Sequence, residues 1–206
     1  MKSTRKTDTA TPSVAPVAKR GFPPFLTVLA VLVIVTLAVY WRLLDPRAVM
    51  EAGDSPPLAA HCMKRMLAAG VVSGWSALQG FGSGGLSVLG DWNVLFYLFL
   101  PEQKTAVALM AATVLLAGLF FYLFLRERGY PLRPALVGAV AYGFSTSLVS
   151  LSSAGHIGKF FALCYMAAAL WLVQRAFARR SWLAAAFAGL VAGLALSWQL
   201  DVAILL

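Results

Sequence analysis

Charge is what this sequence has least of. Only 12% of its 206 residues are Asp, Glu, Lys or Arg, against about a quarter in an ordinary soluble domain. With 60% hydrophobic residues and a mean hydropathy of +0.79, the chain lacks the polar surface that a water-soluble globule requires. The charges that are present cluster between apolar runs instead of alternating through them. The net charge of +9 is therefore no nucleic-acid footprint, and no nucleic-acid partner is expected. Cations at the ends of membrane spans are what topology alone demands. Cysteine is equally scarce. Cys62 falls in a polar interval and Cys164 in an apolar run, a pair that makes neither a metal site nor a disulfide framework. No glycine pattern follows a strand and opens a helix, so a nucleotide-binding fingerprint is excluded. No internal repeat is visible.

What is there is a series of long apolar runs. Residues 1–20 are rich in Ser, Thr, Pro, Ala and Lys without apolar period, the composition of a disordered basic tail. The rest, 21–206, reads as one polytopic, all-α membrane domain. Its expected spans are about 22–44, 105–125, 134–151, 159–177 and 182–206, each near the roughly 20 residues that cross about 30 Å of hydrocarbon. The first run is too long for a signal peptide and is followed by YWRLLDP, not by a small-residue cleavage site, so it reads as an uncleaved anchor. The run DWNVLFYLFLP (91–101) is too short to cross and reads as an interfacial or re-entrant piece stopped by Pro101. The chain ends at DVAILL inside an apolar run with no polar stop, so either the fifth span ends flush with the C-terminus or the sequence is a piece of a longer protein, and the second is expected.

Arginine and lysine set the expected orientation. The tail, the 126–133 turn (Arg126, Arg128, Arg133) and the 175–181 turn (Arg175, Arg179, Arg180) fall on one side of an alternating topology, whereas the 152–159 turn carries only Lys159. The positive-inside rule places the basic side in the cytoplasm. The long 45–104 loop then faces outward, in a protein of the bacterial inner membrane with a cytoplasmic N-terminus.

That loop holds the first candidate chemistry. Ser55-Pro56-Pro57 opens a helical stretch that Gly70 stops. Leu58, Cys62, Met66 and Ala69 form one apolar stripe, with His61, Lys64 and Arg65 off it. The pattern predicts an amphipathic helix lying along the outer surface of the membrane. Asp54 precedes it, where the helix dipole favours an anion. It is either a general base or metal ligand, or a capping aspartate. Trp75, Phe81 and Trp92 lie in a Gly- and Ser-rich stretch and either stack on sugar rings or anchor in the interface. In the SLSSAGHIGK turn, His156 and Lys159 either hold a lipid-linked phosphate or form an exposed turn with a snorkelling lysine. Gln199 and Asp201 interrupt the last run close to the outer face, and an ionisable group inside a span is a functional hypothesis by default. Gly189 and Gly193 have the spacing of close helix packing.

Taken together, GDSPP in a long outer loop, DWNVLFYLFLP before the second span, and AYGFSTSLVSLSSAGHIGKFFALCYMAAALWL resemble the YfhO-type bacterial membrane proteins, which are similar to the GT-C superfamily of glycosyltransferases. The resemblance covers about 22–206. It implies sugar transfer, of the hexosyltransferase type, from a polyprenyl-phosphate carrier to a cell-envelope glycopolymer or lipid acceptor at the outer face. It implies that Asp54 matches the first-loop acidic residue used as base or metal ligand. A lipid-linked sugar donor is then the cosubstrate, with room for a divalent cation but no assigned metal ligands. GT-C enzymes have many more spans than the five seen here. A transporter or flippase subunit, or a non-catalytic membrane scaffold, is the alternative. A transporter would favour ionisable groups at the midplane and inverted repeats, and the sequence has neither.

Overall fold

The computed structural model describes residues 23–41, 45, 56–70, 94–145 and 157–198. Among them every element is a helix and no strand occurs. In chain order these are α1 (Pro23–Val39), α2 (Pro56–Ala68), α3 (Val94–Phe99), α4 (Glu102–Glu127), α5 (Leu132–Gly143), α6 (Ile157–Arg179) and α7 (Trp182–Trp198). Two of them, α4 and α6, are long and apolar enough to cross a membrane.

Local chemistry sets the ends. Pro101 precedes α4 in extended backbone, and Glu102 occupies its first turn, where the helix dipole favours an anion. At the other end Gly129, at φ 91, lets the chain leave α4: Gly129 N–H donates to Arg126 O and Tyr130 N–H to Leu125 O, both at 3.1 Å. That pair of bonds is a Schellman cap, and it satisfies carbonyls the helix would otherwise orphan. α7 starts at Ser181, whose Oγ accepts the Ala184 N–H at 3.3 Å. The preceding turn is built like the one after α4, with Ser181 N–H on Ala176 O. Here, however, the left-handed position is held by Arg180, at φ 49.

Packing fixes the directions of the five longer apolar helices. Leu109 shares a core cluster with Phe161, Phe120 stacks on Trp171 at 5.9 Å, and Glu127 pairs with Arg179. The partners descend both chains in the same order, so α4 and α6 run parallel. α1 is antiparallel to α4: Leu32 meets Tyr122 in one cluster and Tyr40 meets Met110 in another. α5 folds back along α4, and α7 returns along α6, with Phe161 against Trp198 at 4.8 Å. Thus α1, α5 and α7 point one way and α4 and α6 the other.

The closest helix contact is between α4 and α5. A Cβ on Gly143 would lie 3.0 Å from Val114 O and 3.2 Å from Gly118 Cα, and one on Gly118 would lie 3.1 Å from Ala139 O. The backbones approach this far because neither helix has a side chain there. By contrast, a Cβ on Gly189 or Gly193 would meet nothing within 4 Å. The close packing expected at those two is not found. α7 turns Ala184, Ala188 and Ala195 inward instead.

Few polar side chains are buried among the described residues. The buried polar side chains among the described residues are Thr36, Thr105 and Thr113. Each returns its hydroxyl to the carbonyl four residues earlier, on Leu32, Pro101 and Leu109. Tyr142 Oη, half-buried between α5 and α6, donates to Leu163 O at 2.8 Å. Outward-facing surfaces are apolar: Leu26, Ile34 and Leu37 on α1, and Leu183, Phe187 and Leu190 on α7, are exposed. α1 covers 23–39 of the 22–44 interval expected for the first span, with 42–44 outside the described residues. α5 covers the first part of 134–151, with 146–151 likewise outside.

Candidate functional site

The two ends of the bundle differ in chemistry. At one end lie the α4–α5 and α6–α7 turns, with Arg126, Arg128, Arg133, Arg179 and Arg180. The other end gathers the start of α4, the start of α6, the last turn of α7, and both α2 and α3. Leu67 of α2 and Phe96 of α3 pack there on the cluster of Leu109, Phe161, Tyr165 and Ala195. This second end is the candidate site.

α2 is seated on α4 by polar contacts from one face and apolar contacts from another. His61 Nδ1 meets Glu102 Oε1 at 3.0 Å, with the two side chains 44% and 34% exposed. Because a carboxylate only accepts, the bond requires Nδ1 to carry the proton. Nε2 is then left as an acceptor in neutral histidine. One turn further on, Lys64 Nζ donates to Leu100 O at the α3–α4 joint. Lys104 Nζ donates to Asp45 O, tying the start of α4 to the segment after α1. The apolar side of α2 is Cys62 and Met66, both buried. Ala69, expected on the same stripe, is exposed. It follows the last helical residue, so its side chain has left the stripe. Leu67, not anticipated on the stripe, packs inward.

Chemically, the His61–Glu102 pair is an imidazole oriented by a carboxylate. Glu102 fixes the ring orientation and leaves Nε2 as the acceptor of the neutral imidazole. Lys159 sits in the first turn of α6 at the same end. It is half-buried and makes no hydrogen bond or ion pair with a described residue. Among the described residues no three of His, Cys, Asp and Glu are grouped to hold a metal ion.

Of the residues singled out from sequence, Lys159 alone falls within the described residues. Asp54, Trp75, Trp92, His156, Gln199 and Asp201 lie outside them. In the chain, α2 begins two residues after Asp54, α6 begins directly after His156, and α7 is described to the residue before Gln199. Sequence reasoning missed Glu102. The signal was a carboxylate directly after Pro101, at the head of a long apolar run. No protein-family model, no curated protein and no solved structure matches this chain.

Proposed function

We propose that this chain is a polytopic inner-membrane protein of five spans, with a cytoplasmic N-terminus, and the N-terminal part of a GT-C-like, YfhO-type glycosyltransferase. The observation that carries the reading is the division between the two ends of the bundle. Arginines crowd one end. An imidazole–carboxylate pair and a half-buried lysine without a described partner occupy the other. The alternating helix directions and the exposed Leu, Ile and Phe of α1 and α7 support membrane insertion, since contiguous apolar surface is costly in water. The small number of buried polar side chains among the described residues supports surface chemistry over translocation, which needs polar groups at the midplane.

In the proposed reaction an acceptor hydroxyl attacks the anomeric carbon of a sugar held by a polyprenyl phosphate. Asp54 takes the hydroxyl proton as the new C–O bond forms. The bond from the anomeric carbon to the phosphate oxygen breaks, and its electron pair leaves with the lipid phosphate. Lys159 and His156 offset the charge of that leaving group. Gln199 and Asp201 complete the polar wall, and Trp75 and Trp92 stack on the sugar. The test is transfer of radiolabelled sugar from a polyprenyl-phosphate donor in membranes carrying the full-length protein. Asp54→Asn keeps the shape and removes the base, so transfer should fall by at least about 100-fold with expression unchanged. Unchanged transfer would return Asp54 to a capping role.

A further inference from the structure

On the outer side of α6 and α7, at the arginine-rich end, lies an open groove of about 640 Å³. Its walls are apolar: Val173 and Phe177 from α6, and Ala185, Gly189 and Ala192 from α7. Gly189 leaves it deep, because nothing approaches within 4 Å of where a Cβ would stand. Arg180 and Trp182 form its mouth. Along α7 it runs from Trp182 to Ala192, about 15 Å at 1.5 Å per residue. That is half of a hydrocarbon core of about 30 Å, the depth of one leaflet.

The mouth is as distinctive as the walls. Trp182 is 90% exposed and Phe177 81%. Arg180 is exposed and makes no ion pair with a described residue. Its neighbour Arg179 is committed to Glu127 at 2.9 Å, and Arg175 lies over the Trp171 ring at 5.7 Å. Arg180 also occupies a left-handed backbone position that glycine would fill without steric cost, as Gly129 does at the equivalent turn after α4. A long cationic side chain in that place costs backbone energy. Its guanidinium stands at the entrance of an apolar channel.

We infer that this groove is a binding site for an anionic phospholipid of the cytoplasmic leaflet, with one acyl chain along α6 and α7 and the phosphate at Arg180. The inference rests on the membrane reading above. An apolar channel of one-leaflet depth takes a chain, not a soluble phosphate. A guanidinium at its mouth selects an anionic headgroup, and an exposed tryptophan at headgroup level is the usual interfacial anchor.

The test uses the full chain reconstituted in vesicles of phosphatidylcholine containing equal fractions of either brominated phosphatidylglycerol or brominated phosphatidylcholine. Bromine on the acyl chain quenches tryptophan on contact. Comparison with Trp182→Phe isolates the Trp182 signal. One cation near the surface is worth roughly a five-fold preference, so phosphatidylglycerol should compete for the site about five-fold better than phosphatidylcholine. The preference should shrink in high salt. Arg180→Gly fits the turn and should erase the preference while leaving quenching by phosphatidylcholine. Gly189→Leu fills the channel and should weaken quenching by both. Equal quenching by the two lipids in the unaltered chain, or a preference that survives Arg180→Gly, overturns the site. Absence of Trp182 quenching by either lipid also overturns it, and would mean that protein, such as a second copy, covers the groove. Alkaline extraction of cell membranes separates the two readings. A chain released into the soluble fraction removes the membrane reading and this site with it, whereas a retained chain without lipid preference removes this site alone.

Discussion

His61 and Glu102, 41 residues apart in the chain, meet at 3.0 Å and pin α2 to the head of α4. The pair joins the segment between α1 and α3 to a long apolar helix by a single hydrogen bond between half-exposed groups. Exposure limits what it contributes. Ion pairs and hydrogen bonds of this kind couple by roughly 0.2–1 kcal/mol. His61→Ala, Glu102→Gln and the double variant, unfolded in a denaturing detergent series, should give a coupling energy within that range. A value near zero would mean that α2 is held by Cys62, Met66 and Leu67 alone.

The α4–α5 contact makes a sharper forecast. Gly143→Ala would set a methyl 3.0 Å from Val114 O and 3.2 Å from Gly118 Cα. Both obstacles are backbone, so neither can swing aside, and the helices must separate by a few tenths of an ångström. Overpacking of this kind costs about 1–3 kcal/mol. Gly193→Ala meets nothing within 4 Å and should be neutral or stabilise by up to about 1 kcal/mol through helix propensity. Thermal melts of the two variants in the same detergent should separate in opposite directions. Equal melts would remove the close approach.

Gly189 and Gly193 mark where sequence reasoning ran out. Helix positions follow from apolar runs, and α2 follows from Ser55, Pro56 and Gly70, because composition and capping are local properties. Which face of a helix turns inward is not local when both faces are small. α7 has small residues on more than one face, so the Gly189–Gly193 spacing is indistinguishable from that of Ala184 and Ala188 until α6 is in place. The His61–Glu102 pair was hidden for a related reason. Its partners come from different elements, and only the fold of α3 between them fixes the meeting. For the candidate site, Lys159 opens α6 at the end of the bundle where α2 and α3 pack. Glu102 was passed over because a lone carboxylate after proline reads as a helix start.

Topology can be tested without assuming any activity. Cys62 and Cys164 are both buried, so neither native thiol should react quickly with a maleimide, and a labelling experiment on Cys62 would report burial instead of sidedness. Ala69 and Arg128 are exposed and lie at opposite ends of the bundle. In the proposed orientation, Ala69→Cys should be modified by a membrane-impermeant maleimide in spheroplasts. Arg128→Cys should be modified only after lysis, because arginine-rich turns are retained in the cytoplasm. The reverse pattern would invert the protein and place the His61–Glu102 end in the cytoplasm, where no polyprenyl-linked donor of the outer face could reach it. Modification of both before lysis would mean that α4, which separates the two positions, does not cross the membrane, and the five-span reading would fall with it.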